Sequence, residues 1–166
     1  MITYILAIIS AVLVLVFDQL TKMLVMQNFT LYESHDFING LLRFTYIHND
    51  GGAWGIFSGN TALLVAVTAI VMIACIYILV VKARRQPLLF WAITLTLSGG
   101  LGNMIDRIFR GGHVIDFLQF DFWRSFPVFN IADCAIVIGC GLLILYFVLD
   151  WIKEAKEKNA ANRNQG

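Results

Sequence analysis

Four long apolar runs dominate the chain, each close to the roughly 20 residues that cross a bilayer as a helix. They cover about 2–26, 61–81, 87–105 and 127–149. The first is uncharged as far as Phe17, the second and third carry no charge, and the fourth holds Asp133 as its only charged residue. The expected fold is a mainly α integral membrane protein: one domain over 1–166, with four transmembrane helices. The connections 27–60 and 106–126 then share one side of the membrane, and the short turn near 82–86 shares the other with the tail 150–166. No basic segment precedes the first run and no A-x-A-like site follows it, so it reads as a retained anchor and not a cleaved signal peptide.

A different periodicity interrupts the helical pattern. In LLRFTYIHN (41–49), Leu42, Phe44 and Tyr46 alternate with Arg43 and Thr45, the period of a half-buried strand. The next stretch, NDGGAWGIFSGN, is rich in glycine and carries Trp54 and Phe57, aromatics suited to a membrane interface. A small β-structured platform over the mouth of the bundle is the expectation.

Charge orients the bundle. KARRQ (82–86) holds three positive residues, and WIKEAKEKNAANRNQG (151–166) holds four against two negative. Cytoplasmic loops carry the excess of Lys and Arg, so both termini are placed in the cytoplasm and the platform outside. Arg107, Arg110 and Arg124 on the outer side reduce this asymmetry.

Composition narrows the classes. With 59% hydrophobic residues and a net charge of +1, the chain matches neither a soluble domain nor a nucleic-acid binder. Cys75, Cys134 and Cys140 all lie in apolar runs, which points to no disulfide framework and no zinc site. No metal or cofactor motif is expected, and neither Ser98 nor Ser125 has a nearby histidine to activate it.

The polar residues near the spans collect on the outer side: Asp18 and Lys22 on the first, Asn103, Asp106 and Arg107 at the end of the third, Asn130 and Asp133 at the start of the fourth. If the fourth helix begins at 127, Asp133 lies on the order of 10 Å down it. Carboxylates inside a membrane are costly and usually functional. Asp116, in the apolar setting of GHVIDFLQF, is placed to join Asp133 after a short reversal. Two such carboxyl groups share a proton, so that one serves as base towards water while the other polarises a carbonyl. Each equally fits as a helix cap or the partner of an arginine, and spacing alone does not choose. Asn130, three residues before Asp133, fits as a cap or as a support for that carboxylate. Asp18 and Lys22, spaced i and i+4, fit an ion pair or a contact with substrate. Gly99, Gly100 and Gly102 read as a helix-packing face. Arg107 reads either as partner to a carboxylate or as a snorkelling interfacial residue. A transport or channel subunit using the same carboxylates, or a non-catalytic lipid-binding scaffold, are the alternative functions.

Taken in order, DQLTK (18–22), NDGGAWG (49–55), GGLGNMIDR (99–107), VIDF (114–117) and FNIAD (129–133) resemble the bacterial lipoprotein signal peptidase family, signal peptidase II. The resemblance implies an aspartic endopeptidase of the bacterial cytoplasmic membrane. It removes signal peptides from prolipoproteins by cutting before a cysteine that already carries a diacylglyceryl group. Asp116 and Asp133 match the family's catalytic pair; Asn49, Gly51, Asn103, Arg107, Asn130 and Ala132 match positions that line or support its site, and Asp18 and Lys22 its first motif. Trp54 would wall or cover the substrate, or anchor its segment at the interface. The implied partners are lipidated prolipoproteins and membrane lipids, with no cofactor, no nucleic acid and an active site at the outer leaflet of a monomer.

Overall fold

The computed structural model describes residues 1–52 and 55–163. Four helices long and apolar enough to cross a membrane form its body: α1 (Ile2–Asn28), α2 (Thr61–Val81), α3 (Pro87–Phe109) and α4 (Ile131–Arg163). Three strands form one antiparallel sheet in the order β1 (Ser34–Ile38), β2 (Leu42–Asn49) and β3 (Val114–Phe120). The mainly helical fold with a small β platform is as expected.

Helix α3 is the centre. It packs against α1, α2 and α4, and it holds most of the buried helical residues, whereas α2 buries none. Proline at its first turn supplies a preset φ where no intrahelical N–H is needed. Small residues then set how closely its neighbours approach. A Cβ on Gly99 would collide with the Ala132 carbonyl, and one on Gly102 would meet Asp18 Oδ2 at 2.8 Å and Ala132 Cβ at 3.0 Å. Gly100 faces only Met72, at 3.7 Å. Two of the three glycines therefore pack helix against helix, and the third needs no such closeness.

Two element boundaries differ from the hydrophobic pattern. Helix α3 runs on to Phe109, so Asp106 and Arg107 stand on its last turn and not in a loop. Helix α4 starts at Ile131, four residues later than the apolar run, which makes Asp133 a first-turn residue and not one buried well down the helix. The reason is in the backbone: Phe129 pairs with Leu118 of β3, exchanging N–H···O bonds of 2.8 and 2.9 Å, so the segment before Asn130 is held extended.

The sheet is placed by alternation. Ile115 and Phe117 pack with Tyr46 of β2 and Val25 of α1 in one apolar cluster. Val114, Asp116 and Phe120 point the other way and line a cavity. The sheet thus stands over one end of the bundle, at the C-terminal ends of α1 and α3 and the start of α4. The turn bearing Lys82, Arg84 and Arg85, which connects α2 to the start of α3, lies at the opposite end.

Candidate active site

Asp116 and Asp133 line one cavity of about 580 Å³. Its polar wall is Asn49, Asn103, Arg107 and the two aspartates; its apolar wall includes Phe120, Phe126, Phe129, Ile136 and Val137. Strand alternation turns Asp116 into this space, and the late start of α4 puts Asp133 beside it.

Neutral amides hold both carboxylates. Asn49 Nδ2 donates to Asp116 Oδ2 at 2.8 Å, and Asn130 Nδ2 donates to Asp116 Oδ1 at 2.6 Å. Asn103 Nδ2 donates to Asp133 Oδ1 at 2.7 Å. The remaining oxygen of Asp133 accepts the backbone N–H of Asn130 at 3.1 Å, and Asn130 Oδ1 accepts the backbone N–H of Asp133 at 2.9 Å. This is a reciprocal cap: residue and third residue on satisfy each other's N–H at the helix start. Asn130 is therefore both cap and support, binding one carboxylate through its side chain and the other through its backbone. Asp116 is only 1% exposed. Burial first, and then the neighbouring charge of Asp133, push its carboxyl up to about 7.

Just behind this pair lies a second set of charges. Lys22 Nζ contacts Asp18 Oδ2 at 2.9 Å and Asp106 Oδ2 at 2.8 Å, with all three side chains fully buried. Asp106 Oδ1 takes Arg110 at 2.7 Å, and Gln19 bridges Asp18, Asp106 and Arg110. The set also ties down backbone: Asp18 Oδ1 accepts the N–H of Ala132 at 2.9 Å, and Asp106 Oδ2 that of Ile115 at 3.1 Å. Residue 132 thus acts through its N–H to Asp18, its carbonyl against Gly99 and its methyl against Gly102. The i, i+4 pair of Asp18 and Lys22 forms, and it is part of a larger network than the spacing alone implied.

Arg107 donates to the carbonyl of Gly51 at 2.9 Å, while Asn49 Oδ1 accepts the N–H of Gly51 at 3.0 Å. The glycine-rich segment is so pinned to the rim from two directions. Gly51 has no room for a side chain, since a Cβ there would stand 3.1 Å from Gly55 backbone. Trp54 lies outside the described residues. Gln19 has no signal in the sequence, and Arg110 enters there only as an outer-side charge; the i, i+4 spacing of Asp106 and Arg110 is the available signal for its place in this network. Among the described residues, no group of three or more His, Cys, Asp or Glu is placed to hold a metal ion.

Comparison with known proteins bears on this arrangement. Residues 10–149 match the family model described as Signal peptidase (SPase) II. A lipoprotein signal peptidase of Halalkalibacterium halodurans is 39% identical over 92% of this chain and 97% of its own length. One from Symbiobacterium thermophilum is 41% identical over 87% and 95%. Among solved structures, a bacterial membrane enzyme determined by the in meso method at 2.3 Å superposes with a TM-score of 0.82. It is 36% identical and the match covers 87% of this chain and 88% of that one. With most of its length matched by the family model and by these relatives, the chain belongs to the signal peptidase II family.

Proposed function

We propose that this protein is an aspartic endopeptidase that removes signal peptides from diacylglyceryl-modified prolipoproteins, with Asp116 and Asp133 as its catalytic pair. The observation that carries the reading is the setting of these two carboxylates. They face one cavity, and among the described residues neither forms an ion pair. Two carboxylates that face one cavity, one of them almost fully buried, hold one proton between them. One takes a proton from a water as that water adds to the scissile carbonyl; the other gives its proton to the carbonyl oxygen. Collapse of the resulting diol breaks the C–N bond: the first aspartate gives its proton to the leaving amine while the second takes one back from a diol hydroxyl, which returns the pair to its starting state.

The two walls of the cavity suit the two parts of such a substrate. Peptide lies along Asn49, Gly51, Asn103 and Arg107, and apolar groups meet Phe120, Phe126, Phe129 and the Ile136–Val137 face of α4. In this reading both termini are cytoplasmic and the sheet lies outside, so the cut falls at the outer leaflet of the bacterial cytoplasmic membrane. The positive residues of the α2–α3 turn and the tail support that orientation. The whole chain acts as one domain and as a monomer, since a single chain supplies both carboxylates and both walls. A transport path is disfavoured because the buried charged residues Asp18, Lys22, Asp106 and Asp116 cluster at one end of the bundle.

The test is cleavage of a diacylglyceryl-modified prolipoprotein peptide by purified protein, beside the same peptide without lipid. Cleavage is expected only of the lipidated form, unaffected by a chelator, and Asp116→Asn or Asp133→Asn should lower it by about 10² to 10⁴-fold. Wild-type rates in either variant would sink the pair.

A further inference from the structure

We propose that Lys22 is a positioning residue for the reaction: it fixes the amide of Asn103 so that Asp133 is held as the base of the pair and the shared proton rests on Asp116. This rests on reading Asp116 and Asp133 as the catalytic pair.

An ammonium has three protons, and Lys22 places each one. Two go to Asp18 and Asp106, at 2.9 and 2.8 Å. A staple between α1 and α3 would be complete with those. The third goes to Asn103 Oδ1 at 3.2 Å, the one acceptor of the three that also touches a carboxylate of the pair.

Asn103 Oδ1 takes a second donor, Asn130 Nδ2, at 3.0 Å. With two donors converging on that oxygen, a flipped amide would set its NH2 against an ammonium and against another NH2. One orientation survives, and it presents Nδ2 to Asp133 Oδ1. The other two asparagines of the site are locked by backbone, Asn49 by the N–H of Gly51 and Asn130 by that of Asp133. Asn103, alone of the three, is locked by a charged side chain from another helix.

The consequence is an asymmetry between the carboxylates. Both oxygens of Asp133 accept, one from the locked amide and one from a backbone N–H at the start of α4, where the helix dipole favours negative charge. Asp116 lies on a strand, is almost fully buried, and has side-chain amides as its donors. Charge is better served on Asp133 and the proton on Asp116. Water then gives its proton to Asp133, and Asp116 donates to the carbonyl oxygen.

Removing Lys22 alone would leave two buried carboxylates on one cation, so the variant of choice is the charge-neutral Asp18→Asn/Lys22→Met. It is compared with Asn103→Leu, with the three changes combined, and with Asp133→Asn, reading kcat and KM for the lipidated peptide. The two partial variants should each lose kcat on the order of 10²-fold, as a misplaced reacting group does, with KM little changed. The combined variant should lose no more than either, because both remove one chain of contacts. Wild-type kcat in Asn103→Leu, or losses that multiply in the combined protein, would overturn the inference; the Asn103→Leu arm stands even where the Lys22 variant does not fold. An Asp133→Asn protein that cleaves normally overturns instead the reading of the pair.

Discussion

Two groups of buried carboxylates sit side by side in this protein and are treated in opposite ways. Asp18 and Asp106 are matched by Lys22 and Arg110, charge for charge, and their described oxygens also accept backbone N–H groups or Gln19. Asp116 and Asp133 receive amides and one backbone N–H, but no cation. The first group is closed and does not line the cavity of about 580 Å³; the second opens on it. Neutralised charge holds helices together, whereas charge with no cation in direct contact remains available to move a proton. The contrast separates scaffold from chemistry more sharply than burial does, because Asp18, Asp106 and Asp116 are all within 1% of fully buried.

The largest expected break in that contrast is Lys22→Met. Loss of one partner from a buried ion pair costs about 3–5 kcal/mol, so thermal unfolding in detergent should fall markedly. Asp116→Asn should not destabilise, and a comparable loss of melting temperature in both would dissolve the distinction.

The next is pH. Asp116 must hold a proton to polarise a carbonyl, so cleavage should decline as pH rises through about 7. The same shift has a sign for folding. A carboxyl raised in the folded state contributes stability that is fully present below its unfolded value and lost as pH rises through its folded one. Wild type should therefore lose stability between about pH 4 and 7 relative to Asp116→Asn. Parallel melting curves across that range would contradict the buried, unpaired setting of Asp116.

Arg107→Ala should have an intermediate effect, on turnover more than on folding, since it frees the Gly51 carbonyl from the rim of the site. Unchanged turnover would reduce Arg107 to an interfacial anchor. Smallest, and confined to the scaffold, is the pair Gly102→Ala and Gly100→Ala. Overpacking costs about 1–3 kcal/mol, which Gly102→Ala should show against Asp18 and Ala132, while Gly100→Ala should be tolerated beside Met72.

Much of this was written plainly in the sequence because membranes make strong demands. Uncharged runs announce α2 and most of α1 and α3, and alternation in 42–46 announces β2. Asp116 and Asp133 stood out because each interrupts apolar surroundings. The start of α4 did not, since FPVFN is as apolar as the helix after it; the backbone of Phe129 is instead committed to β3, and only the Asn130–Asp133 spacing marks the cap. Partners far apart in the chain were equally silent. Nothing near Lys22 names Asp106 or Asn103, and nothing near Arg107 names Gly51, because those contacts exist only once α1, α3 and the glycine-rich segment are assembled.

The reciprocal cap at the start of α4 carries one further meaning. Helix ends are the first places where a folded chain opens, at free energies well below that of global unfolding. Here the opening of a single turn would release Asp133 from Asn130 and Asn130 from Asp116 together. The pair can thus be dismantled by the opening of one helical turn while the bundle stays folded, and the Asp18–Ala132 contact ties that turn down from behind.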